Sequence, residues 1–259
     1  MRSTVDIQEL ETKVKEMYRH VAVEPHGDYH FELGRPLAER LGYPSAELDR
    51  IPPAATESFA GVGYFFDLAD LRPGESVLDL GSGSGMDLFF AANRVGPSGR
   101  ALGVDFSVEQ LEKARRLAVE AGFAQVEFHE RRIERLAAED ASFDCVISNG
   151  VVNLSPDKRS VFAEAARVLR PGGRLAIADI ISEQQLTESI VCDADLWASC
   201  IGGAAQQDTY RAAIEDAGMR IKAIRQNPYR FLSERARNAT AKYGVKSISL
   251  LGVKDVKSA

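Results

Sequence analysis

The sequence of 259 residues has few of the side chains that build cross-links and metal sites, with three cysteines and four histidines. The cysteines are odd in number and form no Cys-x-x-Cys pair, which argues against a disulfide framework and against a structural zinc site. They are Cys145, Cys192 and Cys200. The histidines are too sparse and too irregularly spaced for a metal centre. We therefore expect no bound metal ion.

Clusters of positive charge and long hydrophobic runs are also absent from the sequence. The net charge is −6 and there is no basic run, so we expect neither nucleic acid nor an anionic membrane as a partner. No apolar run is long enough to span a bilayer, and the first residues show no apolar signal segment, so a cytoplasmic protein is the default expectation. The length suits one large α/β domain with small additions.

Residues 77–87 read Val-Leu-Asp-Leu-Gly-Ser-Gly-Ser-Gly-Met-Asp, which predicts a buried strand, a glycine loop and the start of a helix. The glycines fall at every second position, Gly81, Gly83 and Gly85. A dinucleotide fingerprint would instead require a glycine in place of Met86. Asp79 would repel a diphosphate but attract an ammonium group. The stretch therefore predicts a loop for S-adenosylmethionine (SAM), and a glycine-rich turn without a ligand is the alternative.

Two further strand ends carry polar residues that suit other parts of SAM. Asp105 ends the second predicted strand, 24 positions after Gly81, where a carboxylate accepts hydrogen bonds from ribose hydroxyls. A solvated strand-end acid is the alternative. Asn149 ends the fourth predicted strand, at the lip where ligands bind in open sheets, and its amide suits the methionine part of SAM.

The adenine end of SAM needs an apolar surface and a hydrogen-bond acceptor. Ile133 and Phe106 offer the surface and Glu134 the acceptor, while a core position for Phe106 and a surface charge for Glu134 are the alternatives. The complete set of candidate cofactor-binding residues is Asp79, Gly81, Ser82, Gly83, Gly85, Asp87, Asp105, Phe106, Gln110, Ile133, Glu134 and Asn149.

Strand and helix patterns alternate through the middle of the chain, which predicts an α/β fold with a doubly wound, mostly parallel, Rossmann-like sheet. Strands are predicted at 76–80, 101–105, 126–129, 143–149 and 174–179, and helices at 87–95, 108–121, 158–169, 193–200 and 208–217. Pro171-Gly172-Gly173 is interpreted as a helix end. Two β-rich runs, 221–225 and 245–253, with a short connection predict an antiparallel hairpin at the sheet edge.

Three segments with different roles are predicted. Residues 1–70 form an N-terminal helical lid or substrate cap, with a helix at 5–24 and a short helix that Ser45 caps; a helical pad that only covers the core is the alternative. Residues 71–180 form the SAM-binding core. Residues 181–259 complete the sheet and the pocket.

Five stretches resemble known methyltransferases. Residues 79–85, 103–105 and 169–173 resemble class I SAM-dependent methyltransferases in general. Residues 147–158, Ile-Ser-Asn-Gly-Val-Val-Asn-Leu-Ser-Pro-Asp-Lys, and 196–204, Leu-Trp-Ala-Ser-Cys-Ile-Gly-Gly-Ala, are similar to arsenite methyltransferases. The resemblance covers most of residues 60–220. It implies the class I fold, SAM as methyl donor and SAM contacts at the candidate residues.

The chain departs from that family at the cysteines that hold As(III). The resemblance implies three thiolates, but Val62 and Gly150 occupy the first two positions and only Cys200 remains. Cys192 would lie ~12 Å along a helix and ~80° around it from Cys200. Cys145 lies in a strand, ~16 Å before position 150. A trithiolate arsenic site is therefore disfavoured, and Cys200 is a relic, a packed small side chain or a pocket residue.

The acceptor pocket is expected to be roomier and less metal-like than that of the family. Its predicted wall residues are Tyr29, Val62, Gly150, Asn153 and Trp197. Asn153 caps the helix that starts near Ser155 or faces the substrate. Candidates for a direct chemical role are Cys200, His30 and Tyr64.

The expected function is SAM-dependent methyl transfer to a small molecule, with a thiol, a sulfide or another soft nucleophile as acceptor. In-line displacement at the sulfonium methyl needs alignment and exclusion of water more than a particular catalytic group. Arsenite methylation with a reduced cysteine site and SAM binding without turnover are the alternatives. A homodimer is one option for the assembly.

Overall fold

The computed structural model describes residues 6–27, 29, 31–193, 196–197 and 201–256. Within them, eight strands form one mixed sheet in the order β3-β2-β1-β4-β5-β8-β7, with β6 paired to β5. The strands are β1 (Ser76–Leu80), β2 (Arg100–Asp105), β3 (Val126–Glu130), β4 (Phe143–Asn149), β5 (Leu169–Ser182), β6 (Ala205–Gln206), β7 (Met219–Gln226) and β8 (Lys246–Lys254). Only β8 runs antiparallel to its neighbours, β5 and β7, among these strands. The predicted fold class is confirmed.

Helices flank the sheet. They are α1 (Ile7–Val23), α2 (Gly34–Leu41), α3 (Ser45–Leu48), α4 (Pro53–Glu57), α5 (Phe66–Ala69), α6 (Met86–Val95), α7 (Val108–Glu120), α8 (Lys158–Val168), α9 (Glu188–Val191), α10 (Gln207–Asp216) and α11 (Glu234–Tyr243), with a 3₁₀ turn at Val152–Leu154. No helix among the described residues is both long and apolar enough to cross a membrane.

The central strands are apolar on both faces because helices cover both. Val77 packs into a core with α6 and α7, whereas the next residue, Leu78, packs into a second core with α8 and α10. Successive strand residues point to opposite faces, so a continuous apolar run is what a doubly covered strand requires. The largest buried side chains include Phe89 in the first core and Phe162 in the second.

Three local predictions were wrong. Pro171-Gly172-Gly173 lies inside β5, because α8 already ends at Val168 and the strand begins at Leu169. Helix α11 occupies the predicted short connection between β7 and β8. Its buried residues include two alanines, Ala236 and Ala239, so its hydrophobic periodicity is weak. Ser45 starts α3 after an N-cap at Pro44, and its hydroxyl donates to the Glu39 carboxylate at 3.0 Å instead of capping the helix.

The antiparallel pairing of β7 and β8 confirms the predicted hairpin partners. The helix predicted at 193–200 lies mostly outside the described residues, and Leu196 and Trp197 within it are helical. In the N-terminal part, α1 packs on α7, and the segment from α2 to α5 packs on the first core. These contacts bring distant N-terminal residues to the carboxyl ends of β1, β2 and β4.

Candidate functional site

A cavity of about 150 Å³ lies at the carboxyl ends of β1, β2 and β4. This position is the topological switch point, since the order turns from β2-β1 on one side to β4-β5 on the other. Twelve residues were predicted from sequence to bind SAM. Eleven of them line the cavity, namely Asp79, Gly81, Ser82, Gly83, Asp87, Asp105, Phe106, Gln110, Ile133, Glu134 and Asn149.

The loop between β1 and α6 requires its glycines for steric reasons. Gly81, Gly83 and Gly85 all have positive φ, at 72°, 51° and 92°. A Cβ at Gly81 would lie 2.5 Å from the methyl groups of Val151. Gly85 is the one of the twelve predicted SAM-binding residues that does not line the cavity. A Cβ there would lie 2.8 Å from the Phe128 ring, so the glycine lets the loop pack closely on this ring. Because Gly81 and Gly85 lack side chains, the loop backbone can lie against Val151 and Phe128 and still border the cavity.

Three acids converge on this loop, and all are buried. Asp79 is 2% exposed and accepts no hydrogen bond from any residue that the structure describes. Burial raises the pKa of Asp79 well above its usual value, and the nearby charges of Asp87 and Asp105 add to this rise. A buried carboxylate without a protein partner is costly unless a cation or a proton compensates it. The site therefore favours a positively charged group beside Asp79.

Asp105 is held between the glycine loop and the start of α7. Its carboxylate accepts hydrogen bonds from the backbone N–H of Gly83 at 2.9 Å and of Ser107 at 2.8 Å. Burial raises the pKa of Asp105, and these backbone hydrogen bonds oppose that rise. The carboxylate is thus fixed in direction at the cavity wall, as ribose recognition requires.

The residues predicted to face adenine form another part of the wall. Ile133 is buried, and the Glu134 carboxylate accepts a hydrogen bond from the Ser155 hydroxyl at 2.5 Å. The Lys15 ammonium lies 5.3 Å from the centre of the Phe106 ring, a cation–π contact from α1. An apolar slot with a carboxylate at its edge is therefore present.

Asn149 lines the cavity and has protein partners that the sequence did not indicate. Its side-chain oxygen accepts from the backbone N–H of Val62 at 2.7 Å, and its nitrogen donates to Asp87 at 2.9 Å and to the Tyr43 hydroxyl at 3.1 Å. Tyr43 also donates to Asp87 at 2.6 Å. The amide thus connects the segment around Val62 to α6. Sequence reasoning missed Tyr43, because its only signal is one aromatic residue far from the loop.

Burial raises the pKa of Asp87 to about 6, and the hydrogen bonds from Tyr43 and Asn149 oppose this rise. Asp87 therefore accepts hydrogen bonds from the buried Tyr43 hydroxyl and from the half-buried Asn149 amide.

Helix α1 supplies one wall of the cavity. Five of its residues line it, namely Leu10, Glu11, Val14, Lys15 and Tyr18. These residues lie on one face of the helix, so the helical spacing in the sequence was the signal that could have identified them. The sequence predicted a lid without identifying these residues.

Two predicted pocket residues, Val62 and Gly150, contact each other and lie outside the cavity lining. A Cβ at Gly150 would lie 3.2 Å from a Val62 methyl group, and Gly150 has a φ of 73°. Val62 is 1% exposed, and its carbonyl accepts from the Ser247 hydroxyl at 2.6 Å. The valine fills the space beside the glycine, and whether the pocket is roomier than that of the family stays a prediction.

Tyr64 is placed outside the cavity lining, and its hydroxyl accepts from Arg94 at 3.2 Å in a cluster with Glu47. Burial raises the pKa of Tyr64. Its predicted role as a base therefore receives no support from its position. The other candidates for a direct chemical role, His30 and Cys200, lie outside the described residues.

The remaining predicted pocket residues lie behind the wall. Trp197 donates from its indole N–H to the Val191 carbonyl at 2.5 Å and packs against residues of α1. Asn153 is buried in the 3₁₀ turn, and Asp157, not Asn153, caps α8. The Tyr29 hydroxyl donates to the Glu24 carbonyl at 2.8 Å, outside the lining.

The chain matches the methyltransferase domain family over residues 71–218. An arsenite methyltransferase of Halobacterium salinarum is 41% identical over 187 residues, which cover 72% of this chain and 48% of the relative. The chain spans about half the length of such curated relatives.

Solved structures agree with this match. An arsenic(III) S-adenosylmethionine methyltransferase of Chlamydomonas reinhardtii superposes with a TM-score of 0.69 and 32% identity, covering 82% of this chain and 73% of that one. A putative sarcosine dimethylglycine methyltransferase of Galdieria sulphuraria, with a TM-score of 0.66, 19% identity and coverage of 93% and 98%, shows the shared fold. The chain therefore belongs to the methyltransferase domain family, as a class I SAM-dependent member that resembles the arsenite methyltransferases.

Proposed function

We propose that the protein binds SAM in the cavity and transfers its methyl group to a small molecule, with a thiol, a sulfide or another soft nucleophile as acceptor. The observation that carries the proposal is the Asp79 carboxylate, buried beside the glycine loop without a hydrogen bond from any described residue. SAM supplies an electrophilic methyl group on a sulfonium and carries an ammonium group, and the acidic surroundings of Asp79 suit such cationic groups.

The other wall residues fit the remaining parts of SAM. Asp105 has the fixed carboxylate that ribose hydroxyls need, and Ile133 with Glu134 forms an apolar slot with an acceptor at its edge. We call this part, residues 79–87, 105–106 and 133–134, the donor side.

We call the apolar part of the remaining wall the acceptor side; Glu11, Lys15, Tyr18 and Ser58 line the cavity beside it. The acceptor side comprises Leu10, Val14, Ala55, Phe59, Ala60, Gly61, Val151 and Leu154. No histidine or cysteine is among the described residues that line the cavity. An apolar wall excludes water, and a thiol, with an ordinary pKa near 8.5, needs less help from a base than an alcohol does. These features support a soft, small acceptor.

The test has two stages, binding and turnover. Isothermal titration with S-adenosylhomocysteine should show binding that Asp79→Asn and Asp105→Asn each weaken by about tenfold or more, one tenfold step being 1.4 kcal/mol. Asp255→Asn, at an exposed ion pair with Arg220, is the matched control and should bind normally. Mass spectrometry should then detect methylated products from small thiols or sulfide. Normal binding by both acidic-site variants would refute the placement of SAM.

Arsenite methylation is the second candidate, and the similarity to two arsenic methyltransferases supports it. Against it, Val62 and Gly150 carry no thiol at two of the family's three cysteine positions, and they are in contact. Arsenite methylation that is unchanged in Cys200→Ser would exclude a thiolate mechanism at that residue. Binding of SAM without any methylated product would instead favour a SAM sensor.

A further inference from the structure

We infer that Gln110 is a positioning residue that couples occupation of the donor side to the docking of helix α1. Gln110 lies on α7 and is 2% exposed. Its side-chain oxygen accepts from the Ser84 hydroxyl at 2.5 Å, and its side-chain nitrogen donates to the Tyr18 carbonyl at 2.7 Å. One buried amide thus connects the glycine loop to the lid helix.

The direction of the Gln110 amide is set by its two partners. The Tyr18 carbonyl is an acceptor only, so it selects the nitrogen end of the amide. The oxygen end must then face Ser84, whose hydroxyl donates to it. An amide turned the other way would place two acceptors together at Tyr18, with a buried polar group unsatisfied. A shift of Ser84 away from Gln110 would leave the buried amide oxygen unsatisfied, so the position of the loop and the contact with the lid helix depend on each other.

Ser84 belongs to the same loop that the ligand is proposed to occupy. The preceding residue, Gly83, donates to Asp105, the proposed ribose ligand, and both Ser84 and Tyr18 line the cavity. A ligand that orders the loop thus also fixes the acceptor end of Gln110. The inference rests on the proposed placement of SAM.

Other contacts also hold α1, but they bypass the glycine loop. The Lys113 ammonium donates to the Ala22 carbonyl at 3.0 Å and to the Ser58 hydroxyl at 2.7 Å. Glu11 pairs with Arg132 at the other end of the helix. Lys113 therefore offers a matched control. Like Gln110 it lies on α7 and donates to a backbone carbonyl of α1, but it has no hydrogen bond with Ser84.

The chain carries its own reporter of α1 docking. Trp197 is the single tryptophan of the sequence, and it shares one hydrophobic cluster with Leu10 and Val14 of α1. Its emission should therefore respond when that face of the helix docks or withdraws. The adenine group of S-adenosylhomocysteine does not absorb at 295 nm excitation, so the two signals stay separate.

The experiment titrates S-adenosylhomocysteine into the full chain and records Trp197 emission and calorimetric binding. The wild type should show a saturable emission change. In Gln110→Met, which lacks both hydrogen bonds, the change should disappear and Kd should rise by about tenfold. In Gln110→Glu, the carboxylate still accepts from Ser84 but cannot donate to Tyr18 and sets a second acceptor against that carbonyl, so the emission change should be lost and Kd should rise by at least about tenfold.

Lys113→Met should shift the emission of the ligand-free protein yet retain the ligand-induced change. The inference is overturned if the wild type binds the ligand without an emission change, or if both Gln110 variants retain it. Failure of the proposed SAM placement shows separately, as normal ligand binding by Asp105→Asn. Amide exchange of α1 in the same variants reports docking independently of the fluorescence.

Discussion

The donor side and the acceptor side of the cavity are built in different ways. Most of the donor side comes from one loop and the ends of adjacent strands, with Asp79 and Asp105 on neighbouring β1 and β2. The acceptor side combines α1, the segment from Ala55 to Gly61 and the 3₁₀ turn, which are far apart in sequence. The proposed cofactor side is thus encoded by local geometry, whereas the proposed acceptor side exists only after long-range packing.

The largest expected effect is on the donor side, in Gly81→Ala. A side chain there meets Val151 at 2.5 Å, in a backbone conformation with a φ of 72°. We expect a loss of about 2–4 kcal/mol in the free energy of unfolding, together with loss of S-adenosylhomocysteine binding. Gly122→Ala has the same φ but no neighbouring atom within 4 Å, and it should cost only about 1 kcal/mol. Equal losses in urea denaturation would refute the steric argument.

A pH effect is expected at Asp87, where the two sides meet. Its pKa of about 6 in the fold exceeds its ordinary value of 3.8, so the folded state binds the proton more tightly. Its contribution to stability is therefore full below about pH 4 and falls as the pH rises to about 6. The difference in unfolding free energy between wild type and Asp87→Asn should change by about 3 kcal/mol across this window.

Denaturation at several pH values separates this effect from the loss of a hydrogen bond. A lost hydrogen bond lowers the unfolding free energy equally at every pH, whereas the titration of Asp87 changes its slope against pH. Asp255→Asn, at an exposed site, should run parallel to the wild type. A constant difference between Asp87→Asn and the wild type from pH 4 to 7 would contradict the raised pKa.

Tyr43→Phe tests the connection between the sides. The variant removes the hydroxyl that donates to Asp87 and accepts from Asn149, whose side-chain oxygen holds the backbone of Val62. We expect a loss of about 1–3 kcal/mol in stability. The KM of the acceptor should rise by about fivefold while the Kd of S-adenosylhomocysteine stays within about twofold.

Tyr64→Phe is the matched control for the difference between the acceptor KM and the Kd of S-adenosylhomocysteine. The Tyr64 ring packs against Tyr43, but the Tyr64 hydroxyl accepts a hydrogen bond from Arg94 outside the cavity. It should leave both constants near their wild-type values. A larger change in the donor Kd than in the acceptor KM for Tyr43→Phe would assign the network to the donor side instead.

The smallest effect is expected for Glu11→Gln, which breaks the ion pair between α1 and Arg132. The arginine is 58% exposed, so solvent screens the pair. We expect a change of about 0.2–1 kcal/mol in stability and less than about threefold in the Kd of S-adenosylhomocysteine. Raising the salt concentration should shrink the difference between variant and wild type. A persistent tenfold effect at high salt would show that this pair closes the cavity.

The sequence signals of the donor side are local. Asp79, the three glycines and Asp105 follow from strand ends and loop spacing, and they occur where expected. The sequence carried no signal for the protein partners of Asn149 and Gln110. Both residues were assigned to the ligand, yet both amides bond to protein groups that lie far away in sequence.

The acceptor side shows the same limit. Val62 and Gly150 were treated as two separate positions, and nothing in the sequence indicated that they lie side by side. Tyr43 had no sequence signal beyond being one aromatic residue far from the loop. Helix α11 was missed because alanines carry much of its apolar face.

By itself, the sequence determined the parallel core and the donor loop. Alternating apolar runs and positive-φ glycines act within a few residues of the chain, so their consequences are visible without the fold. Only the tertiary structure decided which helix face lines the cavity and which side-chain amides connect distant segments. It also decided how Val62 and Gly150 pack at the positions where the family has cysteines. Those outcomes depend on contacts between segments about 90 residues apart, such as Asn149 with Val62 and Gln110 with Tyr18.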